Sequence, residues 1–305
     1  MSSPIRSLIP SFRFCTRARL EPLLDKQTGL SRWRDAERLE FKQLWDLKTF
    51  NVISEIPSGE TIYSTKIVWK LKPGINGEDG RAKARLCVRN FKTDVNDEVF
   101  APVCRIEAVR MLMSELAVHP DWTMCHVDVC NAFCTAPLEK PIYIHPPEGM
   151  IQDDPTLAGK FLQVNNALYG LACSPRAFNQ HLHKRLESYG WNASPVDHCL
   201  YTRTDSHGTS FVLCYVDDLL AIGCDTHITE FRKKINVDTN PDSGFKVRDY
   251  GPPTSFLGIY GHRTQSAHGH IVAAYIHPAI GRTVQGIRWK APSYPTATWH
   301  KDDSV

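Results

Sequence analysis

The chain reads as an α+β protein whose later half runs β-α-β-β-α-β around an antiparallel sheet, the split ferredoxin-like arrangement. Three observations predict this. Apolar residues recur at helical spacing in several charged segments, and short β-prone runs bounded by Gly, Asp and Asn lie between them. The apolar stretch from Phe211 to Ile222 is broken only by two adjacent acids, Asp217 and Asp218, which a tight hairpin turn accommodates.

The elements follow in order. Trp33, Ala36, Leu39, Leu44 and Leu47 lie at helical spacing, with charged residues filling the other face, so 33–47 is predicted as an amphipathic helix. Thr61–Lys72 and Arg85–Phe91 read as strands joined through a Gly-rich turn at 74–80. A second helix carries Ile106, Val109, Leu112, Met113 and Leu116 on one face and stops before Pro120. Strand Thr123–Asp128 precedes a helix with Ser174 as N-cap, Pro175 at its first position, an apolar face of Phe178, Leu182, Leu186 and Tyr189, and Gly190 as its stop. Strands Phe211–Tyr215 and Leu219–Gly223 form the hairpin, both acids exposed at its tip. Ile228, Phe231 and Ile235 mark a short helix, and Phe256–Ile259 is read as the closing strand. The sequence shows no internal repeat and no low-complexity tract.

Bare carboxylates cannot be buried in such an apolar setting without compensation, so Asp217 and Asp218 call for a divalent cation. Asp128 ends the strand placed beside the hairpin and can face Asp217, the two sharing metal ions with Asp218 in support. Carboxylates from different strands are what bridging two hard cations requires, and paired Mg²⁺ ions serve in-line attack of a hydroxyl on a phosphate. Lys83 and Arg85 alternate on one strand and so point to one face. They belong to a cationic run of Lys66, Lys70, Lys72, Arg81, Lys83, Arg85 and Arg89, the surface best suited to phosphates.

With 305 residues, 42% hydrophobic and 23% charged, the chain has material for a sizeable core or two subdomains. Its net charge of +3 does not by itself argue nucleic-acid binding; the clustering does. The ten cysteines fall largely within predicted strands and helices behind no secretory signal, and are read as reduced thiols. Cys125, His126, Cys130 and Cys134 match no zinc-ligand spacing. No apolar run reaches the roughly 20 residues of a membrane span, so no membrane partner is expected. Residues 1–30 form a basic leader, expected to be disordered, whose Arg6, Arg13, Arg17 and Arg19 also suit a transit peptide.

The tetrad Tyr215-Val216-Asp217-Asp218 resembles the catalytic turn of reverse transcriptases. The likeness extends through Trp69-Lys70-Leu71-Lys72-Pro73, Lys83-Ala84-Arg85-Leu86, Phe100-Ala101-Pro102-Val103, Asp128-Val129-Cys130-Asn131-Ala132-Phe133, Leu168-Tyr169-Gly170-Leu171, Ser174-Pro175-Arg176-Ala177 and Phe256-Leu257-Gly258-Ile259. In that order these blocks resemble the polymerase of copia-type LTR retrotransposons, the RNA-dependent DNA polymerase domain of a Pol polyprotein.

The resemblance implies right-hand polymerase fingers and palm over 31–262, with 263–305 an incomplete thumb or connection remnant. It implies RNA-directed DNA synthesis, with Asp128, Asp217 and Asp218 as catalytic residues holding two Mg²⁺ ions. Lys83, Arg85, Phe133, Cys173 and Tyr215 would then bind dNTP, Phe133 at the bulky position that excludes a ribose 2′-hydroxyl. The implied partners are an RNA or DNA template with its primer, and dNTPs. The implied setting is a cytoplasmic virus-like particle or the nucleus, the chain being a remnant of a larger Pol polyprotein. Three departures stand out: Ala172-Cys173 where the family has Lys-Gln, Cys134-Thr135 where it has Leu-Asn, and Phe178 for Trp. The residues after Ile259 show no further acidic constellation, so neither a full thumb nor an RNase H domain is expected. Two readings stand: a polymerase fragment, or a decayed or domesticated remnant that at most binds nucleic acid. A nucleotide cyclase, also a two-metal palm protein, lacks the Tyr-Val-Asp-Asp turn and the Lys83/Arg85 strand.

Overall fold

A computed structural model describes residues 31–72, 80–89, 99–119, 121–253, 255–257, 259–265 and 271–276. The basic leader, nearly all of the Gly-rich turn and most of the C-terminal tail lie outside them. Helix α1 (Arg32–Asp46) leads to strands β1 (Phe50–Ile53), β2 (Ile62–Lys72) and β3 (Arg81–Arg89), then to helix α2 (Ile106–Val118) and strand β4 (Thr123–Val129). Next come β5 (Pro137–Ile144), the short helix α3 (Glu148–Asp153), β6 (Phe161–Asn166) and helix α4 (Ser174–Ser188). Strands β7 (Asn192–Ala193), β8 (Leu200–Asp205), β9 (Gly208–Tyr215) and β10 (Asp218–Gly223) precede helix α5 (Asp225–Ile235) and strand β11 (Val247–Gly251). Strands β12 (Ser255–Phe256), β13 (Ile259–Gln265) and β14 (Ile271–Ile276) close the described chain.

The chain divides into two compact units, Met1–Ala101 with Asn131–Lys184 and Pro102–Cys130 with Arg185–Val305. The first holds a mixed five-stranded sheet in the order β1-β6-β5-β2-β3, where β2 and β3 pair from Ser64↔Arg89 to Lys72↔Arg81. Its core gathers Phe41, Leu44, Phe50, Leu86, Val88, Ile144, Leu162 and Leu168. Strand β3 alternates as expected: Ala84, Leu86 and Val88 are buried, while Lys83, Arg85 and Cys87 are only partly covered. Gly170 explains part of one sequence block. Its φ of +91° suits glycine, and a Cβ there would run into the carbonyl of Val88, whose own N–H donates to Tyr169 O at 2.8 Å.

The first helix corrects the periodicity reading. Trp33, Ala36 and Leu44 are buried as expected, but Leu39 is 45% exposed, and Glu40 and Phe41 complete the inner face. Glu40 is buried because its carboxylate accepts the backbone N–H of Leu86 at 3.1 Å, which joins α1 to β3. Burial raises its pKa, only partly offset by that bond and by the charges of Lys83 and Arg85.

The second unit holds a six-stranded antiparallel sheet, β11-β4-β10-β9-β8-β7. Because β10 runs antiparallel to both β4 and β9, those two strands are parallel to each other. Helix α2 supplies Val109, Leu112, Met113 and Leu116 to a core with Trp122, Leu213, Leu220 and Ile222. Helix α5 buries Ile228, Phe231 and Ile235 as its spacing predicts, together with His227.

Two further expectations are corrected here. The strand that closes this sheet beside β4 is Val247–Gly251, whereas Phe256–Ile259 falls at the turn of a separate sheet, β12-β13-β14. The closing strand is an edge with Arg248, Asp249 and Tyr250 exposed, so it offers no apolar alternation to read. Ser174 does not cap α4: the Cys173 carbonyl accepts the first helical bond, from Ala177 N–H at 2.9 Å, and the Ser174 hydroxyl donates to Leu168 O at 2.6 Å. The helix face of Phe178, Leu182, Leu186 and Tyr189 is buried as its spacing predicts. The described cysteines are all free.

Glu40 provides a test with a definite sign. An acid whose folded pKa is raised loses stability as pH climbs from the ordinary glutamate value through the raised one. Glu40→Gln keeps an acceptor for Leu86 N–H without the charge, so its stability relative to wild type should rise across that window and level off above it. Denaturant unfolding from pH 4 upward measures this, and a gap that widens toward low pH would mean that Lys83 and Arg85 dominate.

Candidate active site

The hairpin is tighter than its sequence suggests. Tyr215 pairs with Asp218, so the connecting loop is only Val216 and Asp217, and Asp218 is already the first residue of β10. Val216 takes φ +56°, a left-handed conformation that a β-branched side chain rarely adopts. Two-residue loops need such a residue because its twist matches that of the strands, and glycine or asparagine normally fills it. The turn is strained where the acids must be presented.

Register then aligns four functional side chains. Tyr215 faces Asp218, Asp218 faces Asp128, and Asp128 faces Arg248, making one row across β9, β10, β4 and β11. Directly opposed residues share a sheet face, with Cβ atoms about 4.5–5.5 Å apart. Asp217 lies one residue on at the turn, and its carbonyl accepts Val129 N–H at 2.8 Å, tying the loop to the end of β4. Counter-charge is close. Arg248 Nη1 stands 3.6 Å from Asp128 Oδ2, and His126 Nε2 lies 2.9 Å from Asp218 Oδ1.

His126 is held between two rings, Tyr250 at 5.0 Å and Phe256 at 5.4 Å between centroids. Sequence reasoning weighed His126 only as a zinc ligand, although strand alternation puts it on the face of Asp128. Arg248 was missed because the closing strand was placed elsewhere. The donor set of Asp128, Asp217 and Asp218 is hard oxygen on a partly exposed rim, which fits divalent cations such as Mg²⁺. Among the described residues the three acids are not gathered within 4.8 Å of one another, as the donor atoms of Asp205, His207 and His227 are. Opposed carboxylates repel, and His126 and Arg248 draw two of them aside.

The remaining candidates belong to the first unit, except Tyr215, which is 37% exposed in the row above. Arg85 stacks its guanidinium over Tyr169 at 4.9 Å, and its buried Nε has no hydrogen-bond partner. Burial raises the Tyr169 phenol well above its ordinary value, so it stays neutral beside Arg85. Phe133 is half-buried, its ring 5.7 Å from Tyr169 and 6.3 Å from Phe178. Its backbone follows Asn131, whose φ of +51° starts the 3-10 turn Ala132–Thr135. Cys173 packs its side chain against the apolar core of that unit.

The reverse transcriptase (RNA-dependent DNA polymerase) family model matches residues 47–286. The chain belongs to that family. Among its relatives, the retrovirus-related Pol polyprotein from transposon TNT 1-94 of Nicotiana tabacum is 31% identical over 227 residues, covering 72% of this chain and 16% of that protein. The retrovirus-related Pol polyprotein from transposon RE1 of Arabidopsis thaliana is 29% identical over 256 residues, 83% of this chain and 17% of that protein. The chain is thus a copia-type reverse transcriptase domain by descent, spanning about one sixth of these relatives' length. A foamy viral protease-reverse transcriptase solved with double-stranded DNA aligns loosely, with TM-score 0.39 and 15% identity over 75% of this chain and 34% of that one.

Strain at the hairpin is measurable. Val216→Gly removes a cost of about 1–3 kcal/mol and adds about 0.5–1 kcal/mol of unfolded-state entropy, so a net gain of about 1 kcal/mol is expected in urea unfolding. A loss of stability would show that the turn is not held in the left-handed region.

Proposed function

We propose that residues 31–262 are the fingers and palm of an RNA-directed DNA polymerase that joins a dNTP to a primer 3′-hydroxyl, with 263–305 a thumb or connection remnant. The observation that carries this is the opposition of Asp128 and Asp218 across β4 and β10, with Asp217 on the adjoining turn. On this reading β4, α4, β9, β10, α5 and β11 form the palm in ferredoxin-like β-α-β-β-α-β order, and the sheet order β11-β4-β10-β9 supports it.

Asp128, Asp217 and Asp218 would hold two Mg²⁺ ions. Bound there, the ions would acidify the hydroxyl and offset charge on the leaving pyrophosphate. The chain's own groups do the rest. The three carboxylates fix where hard cations sit, and Tyr215, exposed in the same row, offers a ring to the primer end or the incoming sugar. Lys83 and Arg85 set positive charge on one face of β3, where a triphosphate supplies matching oxygens. Tyr169 orients Arg85 by stacking, and Phe133, braced against Tyr169, would crowd the sugar at its 2′ position. The partners on this reading are a primer on an RNA or DNA template, and dNTPs.

A second reading, a retained fold without turnover, draws on two observations: Cys173 faces apolar core where the family pattern has glutamine, and His126 already engages Asp218. Primer extension by the purified chain on a poly-A template with Mg²⁺ decides between them. Incorporation that falls to background in Asp217→Asn supports the polymerase. The variant should melt at or above wild type without metal, since it loses a repulsive charge. A clear drop in melting temperature would make the acids structural, and silence of correctly folded wild type would favour the remnant.

The cations are tested separately. Lys83→Ala should lower kcat/KM for dNTP by roughly ten- to hundredfold, the worth of a charge-assisted hydrogen bond of about 1.5–3 kcal/mol, with primer–template affinity little changed. Equal losses in both would move β3 out of the nucleotide site. Arg85→Ala should add a fall in melting temperature, because it also strips the stacking from Tyr169.

A further inference from the structure

At the far end of β9 from the acidic turn, three metal-ligating side chains converge. Asp205 ends β8, His207 follows in the β8–β9 turn, and His227 projects from α5. Gly208 and Tyr215 bound the same strand, which puts this cluster roughly 24 Å from the acidic turn at about 3.4 Å per residue. The cluster is separate from the proposed polymerase centre and rests on none of its residues.

The geometry is that of a ligand set. His227 Nε2 lies 2.9 Å from Asp205 Oδ2, and His207 Nδ1 lies 3.2 Å from Asp205 Oδ1, with all three donor atoms within 4.8 Å of one another. Tetrahedral zinc with ligands at about 2.0–2.2 Å places neighbouring donors roughly 3.3 Å apart. Little movement is needed. Two sides of the set are fixed by the fold. His227 is fully buried, and the carboxylate of Asp205 also accepts the backbone N–H of His207 at 2.8 Å.

Outer contacts hold His227 from its other ring nitrogen. Ser210 Oγ accepts Cys224 N–H at 3.0 Å, lies 3.4 Å from Cys224 Sγ and stands 3.0 Å from His227 Nδ1. With the serine proton on the sulfur, the oxygen accepts from both Cys224 N–H and His227 Nδ1–H. In that tautomer His227 Nε2 offers its lone pair on the Asp205 side, as a metal ligand must. Gly223 makes room for this: it pairs with Ser210 at φ +150°, and a Cβ there would strike the serine. Arg203 stands 3.3 Å from Asp205, and its other amino group is committed to Glu230 at 2.7 Å.

We infer that Asp205, His207 and His227 form a binding site for one zinc ion, clipping the β8–β9 turn to helix α5. Two imidazoles and one carboxylate select a borderline cation such as Zn²⁺ over Mg²⁺. The fourth position opens at the exposed rim beside His207, where water completes the coordination.

Chelator-treated full-length chain titrated with zinc chloride in excess Mg²⁺ should take up one equivalent and melt at a higher temperature. Outer contacts of zinc ligands are worth about 10–100-fold in affinity, so His207→Ala should weaken binding by more than roughly 100-fold. Because His207 is exposed, that variant should leave the metal-free melting temperature unchanged. Cobalt chloride gives a second readout tied to this position. Wild type should show d–d bands without a thiolate charge-transfer band, and His207→Cys should gain that band. Absence of uptake, uptake indifferent to His207→Ala, or a thiolate band in wild type would overturn the site and leave a hydrogen-bonded polar cluster.

Discussion

Two carboxylates facing each other across neighbouring strands repel, and the second unit is organised around tolerating that pair. Asp218 and Asp128 open a register that runs without interruption to Gly223↔Thr123. Slipping it by one residue would separate the acids onto opposite faces and exchange the side chains that β10 packs on its two buried faces. At about 5 Å the repulsion is near 1 kcal/mol in water and about 3 kcal/mol at an effective dielectric of 20. Against it stand Val127, Leu219, Leu220, Ala221 and Ile222, all fully buried; each large one contributes about 1.5–3 kcal/mol. Burial wins by a wide margin, so the sheet can hold two acids at its rim, and His126 and Arg248 lower the cost further.

The same reasoning explains what could be read beforehand. The faces of α4 and α5, that of α2 apart from the exposed Ile106, the alternation of β3 and the hairpin were legible because burial of apolar side chains determines them. Glu40 and Leu39 exchanged places because position 40, two turns on from Trp33, lies on the inner face and position 39 does not, and the Leu86 N–H satisfies the carboxylate buried there. Strand β11 escaped notice because an edge strand with Arg248, Asp249 and Tyr250 exposed carries no apolar signal, whereas Phe256 nearby does. Of the candidate site residues, Asp217, Asp218 and Tyr215 could be placed from the hairpin pattern; Asp128, expected to face Asp217, instead opposes Asp218 because Asp217 stays in the two-residue loop, and the position of Arg248 follows only from pairing with β4.

In the first unit the cationic strand is positioned from beneath. Glu40 sits in the core within electrostatic reach of Lys83 and Arg85 and is itself fixed by the backbone of Leu86, between the partly covered Arg85 and Cys87. Arg85 is held by the ring of Tyr169, and Tyr169 in turn is fixed by its carbonyl on Val88 N–H and by the close approach that Gly170 permits. Two sequence blocks far apart in the chain therefore serve one purpose, the placement of a guanidinium. A planar, always-charged group stacked on an aromatic face loses little entropy when it meets an anion, which lysine at that position would not reproduce.

Strand β9 ends in two kinds of donor. Its Tyr215 end meets a carboxylate row built from hard oxygens, and its Gly208 end meets two imidazoles and one carboxylate. Oxygen-only sets suit cations that keep their water, such as Mg²⁺, whereas imidazole raises affinity for zinc along the Irving–Williams order. Donor chemistry therefore separates the two proposed sites without any need to compare shapes. The placement follows the mechanical demands of each site. The carboxylate row lies on a partly exposed rim beside a strained loop, as entry of substrate to the proposed centre requires. His227 lies on the buried face of α5 against the sheet, where a metal can only join elements that are already packed. The proposed polymerase centre thus calls for access, and the inferred zinc cluster for rigidity.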